Sequence, residues 1–148
     1  KNSTTTFKVF SIGILYANFT EAMGLQVNSE EGKVEALAAF GDHKNYIYDK
    51  LKESTKIING KIIPSKGIEK FYDLEWLKSQ ISLIGRENFC AAIQTYLNET
   101  VKEYLRQLKE ISSAENLCLS GGVFANVKIN QEIRYILLQK HFRQSEFM

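Results

Sequence analysis

Phe89, Ile93, Tyr96, Leu97, Tyr104, Leu105, Leu108 and Ile111 recur at helical spacing, while Lys102, Glu103, Arg106, Lys109 and Glu110 fall between them. An apolar stripe of that period predicts one long amphipathic helix from Phe89 to Ile111. "DLEWLKSQISLI" repeats the pattern on a smaller scale, with Asp73 suited to cap a helix whose one face carries Leu74, Leu77, Ile81 and Ile84. "SEEGKVEALAAFG" predicts a short helix headed by Ser29 and acidic residues, with Val34, Leu37 and Ala38 along it and Gly41 as its stop. The period changes at "KIINGKII", Lys56 to Ile63, where Asn59-Gly60 divides two branched runs. That dipeptide accepts the positive φ values of a type I′ turn, so a β-hairpin is predicted, ended by Pro64. "FKVFSIGILYANF", Phe7 to Phe19, is compatible with a buried strand and with a buried helix alike. "NLCLSGG" reads as a short buried strand and "FANVKINQEIRYILLQK" as a closing helix. Helix, strand, glycine turn, helix is an order that belongs to α/β or mixed architectures.

Composition narrows the function classes. With 148 residues, 44% of them hydrophobic, the chain is long enough for one domain with its own core. Its 19 basic and 17 acidic residues are interleaved and leave a net charge of +2, which gives no strong attraction to nucleic acid or anionic lipid. No apolar run reaches the roughly 18 residues a bilayer demands, and "KNSTTT" lacks the apolar middle of a signal peptide. Cys90 and Cys118 sit in apolar surroundings, as expected of reduced, buried thiols in a cytoplasmic protein. The abrupt polar ends suggest a piece of something longer.

Candidate chemistry concentrates where the last strand meets the last helix. Gly121-Gly122 would expose backbone N–H groups beside the positive end of a helix dipole, and the missing side chains would let a phosphate or a nucleotide's sugar approach closely. Taken alone, such a dipeptide is more commonly plain turn chemistry. Asn126, and Asn130 one turn later, offer amide donors and an acceptor, or act as capping amides. In "EEGKV", Lys33 beside Gly32 suits a phosphate and Glu31 could accept from ribose hydroxyls; a helix start with acidic residues is the other reading. His43 and His141 show no metal-ligand spacing with each other or with the cysteines, so no metal site is expected within the chain. Cys118 and Ser120 have no assignable base and receive no nucleophilic role. Tyr16, Trp76 and Tyr104 read as core or interface aromatics.

Taken in order, "SIGILYANFTEAMGL", "EGKVEALAAFG", "NFCAAIQTYLNE" and "LCLSGGVFANVKINQEI" resemble the carbamoyltransferase family that includes nodulation protein U and the antibiotic carbamoyltransferases for tobramycin and cephamycin. The resemblance runs from about Phe10 to Arg134 and rests most on "EGKV" and "SGGVFANVKIN". It implies an α/β, actin-like ATPase (ribonuclease H-like) half-domain with a β-hairpin insertion, a long amphipathic helix and a strand–Gly-Gly–helix nucleotide-binding turn. Residues 1–148 would then be a single partial domain, the C-terminal part of the actin-like domain, without the family's synthase-like domain. In the family, carbamoyladenylate made from carbamoyl phosphate and ATP gives its carbamoyl group to a hydroxyl or similar acceptor, aided by an iron-type metal. By motif, Gly121, Gly122 and Asn126 would meet the adenylate, with Glu31, Gly32 and Lys33 contributing. The family's metal ligands, a histidine pair upstream and an aspartate downstream, have no counterpart in this sequence. The chain alone is therefore expected to be inactive and to work with the missing parts of the same enzyme, as a homodimer where the family assembles so. The alternative is a non-catalytic nucleotide-binding or protein-interaction module derived from that family. Membership of the tRNA-modifying relatives fits less well, because no basic surface is evident.

Overall fold

The computed structural model describes residues 10–114 and 116–145, with residues 138–145 described by their backbone alone. Phe7 to Val9 of the first apolar segment, the polar start and Glu146 to Met148 lie outside the described residues. The first segment becomes a helix, α1 (Ile12–Ala22), begun by Ser11, whose Oγ accepts from the Ile14 N–H. Leu15, Tyr16, Phe19 and Ala22 are buried along one side, a three- and four-residue rhythm that pairs with helix rather than strand. α2 (Glu31–Ala38) and α4 (Leu74–Ile84) follow their sequence signals, and Asp73 Oδ1 accepts from the Trp76 N–H as the expected cap. Between them lie α3 (Tyr46–Glu53), the hairpin strands β1 (Thr55–Ile58) and β2 (Lys61–Pro64), and a 3-10 turn at Ile68–Tyr72. α3 was not anticipated, although Asn45 caps it by accepting from the N–H groups of Ile47 and Tyr48. The hairpin has the predicted form: Asn59 and Gly60 take φ of 51° and 66°, and Ile58 pairs with Lys61.

α5 (Arg86–Ile111) is the spine. It begins three residues before the predicted stripe, at Arg86 just after Gly85, and contacts α1, α2, α3, α4, β1 and α6 (Val127–Ser145). Its first half is buried almost all round, through Phe89, Cys90, Ala92, Ile93, Tyr96 and Leu97. Phe89 stacks on Phe19 with ring centroids 4.5 Å apart, and Phe19 in turn faces Phe71. Each such fully buried side chain contributes on the order of 1.5–3 kcal/mol. The second half of α5 carries the hairpin: Gln107 donates to the Ile57 carbonyl at 3.1 Å and accepts from the Gly60 N–H at 3.2 Å.

One expectation fails. Asn116 to Ser120 forms no strand, and Cys118 is exposed rather than buried. A strand exists only through a partner's hydrogen bonds, and the sheet among the described residues is the two-stranded hairpin, far along the chain from this segment. The described elements are thus mainly helical with one small antiparallel sheet, a makeup compatible with the α/β class. No helix among the described residues is long and apolar enough to cross a membrane.

Candidate functional site

Gly121 takes φ of 100°, a left-handed backbone that favours glycine, and the chain then coils through a 3-10 turn at Gly122–Ala125 before entering α6. The turn is closed by the Phe124 N–H donating to the Gly121 carbonyl and by Asn130 Nδ2 donating to the Phe124 carbonyl. Both glycines are exposed, and a Cβ added to either would meet nothing within 4 Å. On the inner side the turn is tightly held: Val123 Cγ2 lies 3.2 Å from the Cβ position of Gly13 on α1, and Ile129 and Ile133 anchor α6 in the core.

The N-terminus of α6 is already occupied. The Glu35 carboxylate, on α2, accepts from the N–H groups of Val127 at 3.2 Å and Lys128 at 3.0 Å. Asn126 Oδ1 accepts from the Ile129 N–H at 3.1 Å, and the Asn126 N–H donates to the Val123 carbonyl at 3.2 Å. All four donors that a helix normally leaves open are thereby met within the chain. Among the described residues, the exposed glycine backbone lies not at the helix end but in the turn before it.

Asn126 is also tied inward. Its Nδ2 donates to Gln94 Oε1 at 3.0 Å, and Gln94, buried in α5, accepts from the Tyr16 hydroxyl at 2.8 Å. Burial drives the Tyr16 phenol far above its ordinary pKa, reinforced by the charges of Glu35, Cys90 and Glu31 and offset in part by the Asn126 amide. Tyr16 is therefore a fixed neutral donor at every physiological pH.

The "EGKV" residues sit at the head of α2. Glu31 accepts from the Asn28 N–H, Lys33 pairs with Glu30 and Gly32 is exposed. Glu30 is held below the usual carboxylate range by the Gln26 N–H first and by Lys33 next. The structure thus joins the two motif regions through Glu35, one turn beyond Glu31, rather than through Glu31 or Lys33. Neither Glu35 nor Gln94 was picked out from sequence; the one signal available was their position on the inward faces of helices that were. Two shallow grooves of about 260 and 330 Å³ flank the hairpin, lined by Ile57, Arg106 and Glu110 in one and by Tyr96, Glu99 and Thr100 in the other. They belong to the hairpin's seat on α5 and include no residue of the glycine turn. Among the described residues no group of three or more His, Cys, Asp and Glu side chains converges as a metal donor set.

Residues 1–142 match the family described as carbamoyltransferase N-terminus. The chain is 42% identical over 130 residues to the uncharacterized protein MJ1058 of Methanocaldococcus jannaschii, covering 86% of this chain and 21% of that protein. It is 30% identical over 135 residues to the uncharacterized protein sll1178 of Synechocystis, covering 81% and 22%, and 29% identical over 130 residues to MJ1051 of Methanocaldococcus jannaschii, covering 83% and 25%. The chain spans about a fifth to a quarter of the length of these relatives. No solved structure matches it.

Proposed function

The chain belongs to the carbamoyltransferase family, in the part its members carry at the N-terminus, and from that membership we propose that it supplies one edge of an adenylate site in a carbamoyl-transferring enzyme. The enzyme's actin-like domain would be completed by further parts of the same protein. Carbamoyl phosphate and ATP would yield carbamoyladenylate, and the carbamoyl group would pass to a hydroxyl or similar acceptor. The work of this segment is to bind and orient the nucleotide. Exposed N–H groups of the Gly121-Gly122 turn face a ligand's phosphate or sugar oxygens, and Asn126 meets the nucleoside. Glu31, Gly32 and Lys33 line the neighbouring head of α2. An iron-type metal would lend electrostatic stabilisation to the transfer, but the described residues offer it no donor set, so no step through it is assigned to them.

The observation that carries this reading is the open space beside both glycines on a turn whose adjoining helix end is already capped. Among the described residues nothing requires Gly122 to lack a side chain, because its φ is not left-handed and its Cβ position is empty. A ligand that lies against the backbone would require it. Gly122→Val in the full-length protein is expected to leave thermal unfolding unchanged and to weaken AMP binding, read by calorimetric titration, at least tenfold. Equal affinity in the two proteins would remove the turn from any nucleotide site.

A further inference from the structure

Gln94 lies on α5, outside both motifs, yet it decides what Asn126 can offer. At 5% exposure its amide is cut off from water, so each polar atom must be met by protein. Its Oε1 accepts from the Tyr16 hydroxyl at 2.8 Å and from Asn126 Nδ2 at 3.0 Å. Its Nε2 donates to Asn98 Oδ1 at 2.8 Å and to Asn126 Oδ1 at 3.3 Å. The Gln94 and Asn126 amides therefore face one another as a cyclic pair, and the Ile129 N–H, which can only donate, fixes Asn126 Oδ1 as oxygen and with it which end of Gln94 is oxygen. Asn126 Oδ1 receives the Ile129 N–H as well, so its two lone pairs are both engaged. Of the four hydrogen bonds an asparagine amide can make, only one N–H is not taken up by these partners, and it lies close enough to the Tyr16 oxygen to offset in part the rise of that phenol's pKa.

We infer that Gln94 is the positioning residue of the nucleotide edge: it locks the Asn126 amide with its carbonyl oxygen fully engaged inside the protein, so that Asn126 can meet a ligand only as a donor and never through its carbonyl. The ligand atom met there is an acceptor, a ribose oxygen or a ring nitrogen, and not an exocyclic amine. This rests on the reading of the turn as nucleotide-facing, and it adds a residue and a polarity which that reading does not contain. Tyr16 acts one step further back, holding Gln94.

The test is hydrogen–deuterium exchange of the full-length protein, with and without AMP, followed at residues 121–130 and at the hairpin, residues 55–64. Gln94→Met keeps the side chain's length and apolar volume while removing its four hydrogen bonds. It is expected to raise exchange at 121–130 about five- to tenfold, the factor one net hydrogen bond supplies, to weaken AMP binding by a similar factor and to leave the hairpin unchanged. Gln94→Glu retains the oxygen that Tyr16 and Asn126 Nδ2 share, and should fall between Met and the parent protein. Exchange and affinity unaltered by Gln94→Met would overturn the positioning role, and so would a rise in exchange spread equally over the hairpin, which marks general loosening. Absence of AMP protection at 121–130 in the unsubstituted protein would instead overturn the nucleotide reading and the inference with it.

Discussion

Replacing Glu35 should unfasten the start of α6, because that carboxylate is the contact through which α2 holds the helix end. It accepts from two backbone N–H groups, at 3.2 and 3.0 Å, where the helix dipole is positive. Val127 and Lys128 are exposed, so water takes over when the carboxylate is removed and no buried donor is stranded. The net loss is then the ordinary worth of a helix cap, about 0.5–2 kcal/mol, of which the charge–dipole part is about 0.3–1 kcal/mol. Glu35→Ala should therefore destabilise α6 by about 1–2 kcal/mol, and Glu35→Gln, which keeps an acceptor, by about half as much. A loss near 1.4 kcal/mol is a tenfold rise in local opening, measurable as amide exchange at Val127 and Lys128 in the full-length protein. Added salt should narrow the gap between the parent and Glu35→Gln, since the dipole part is screened within a Debye length. Lys33→Ala, which removes only an exposed ion pair with Glu30, is the control and should change neither amide. If Glu35→Ala leaves exchange at both residues as it was, the carboxylate is not the cap and α2 does not hold the turn.

Two further outcomes follow from the core and the hairpin. Burial pushes the Cys90 thiol up to about 12, whereas Cys118 is exposed; mass-mapped labelling at pH 8 should modify Cys118 at once and Cys90 only as fast as the protein unfolds. The neutral thiol is the form favoured by the fold, so this contribution to stability is complete below the unfolded thiol's value of about 8.5 and is lost as pH rises from there toward 12; rapid native labelling of Cys90 would contradict the packing of α5. Gly60→Ala places a side chain at φ 66° with its Cβ 2.8 Å from Leu108 Cδ2, and should destabilise the hairpin by about 1–2 kcal/mol; an unchanged denaturation midpoint would mean that the turn does not rest on α5.

The elements legible from sequence were those whose cause is local. Asn59-Gly60 specifies its turn through its own φ preferences, Asp73 caps α4 from the residue next to it, and the stripe from Phe89 to Ile111 is a helix whichever partners it meets. α3 was not read from the sequence: its cap, Asn45, is as local as Asp73, but only Ile47 and Leu51 of its residues are buried, too few apolar positions to mark a helical face. The segment from Phe7 to Phe19 was ambiguous because hydrophobicity alone does not choose a period; over the described part, Ser11, the burial of Leu15 and the contacts of Tyr16 and Phe19 with α5 chose helix.

Family membership was contained in the order of residues alone, "EGKV" and "SGGVFANVKIN" among them. What tertiary structure decided was how those motifs connect. Glu35 reaching α6 spans more than ninety positions of sequence, and the Gln94 amide meets Tyr16 and Asn126 only because α5 runs between α1 and the last helix. Leu117 to Ser120 marks the opposite case, an apolar run whose strand needs a neighbouring strand for its hydrogen bonds. A helix closes its hydrogen bonds within itself and can be read from one stretch of chain; a sheet, a helix cap from another element and a buried amide pair each need a partner that only folding brings into reach.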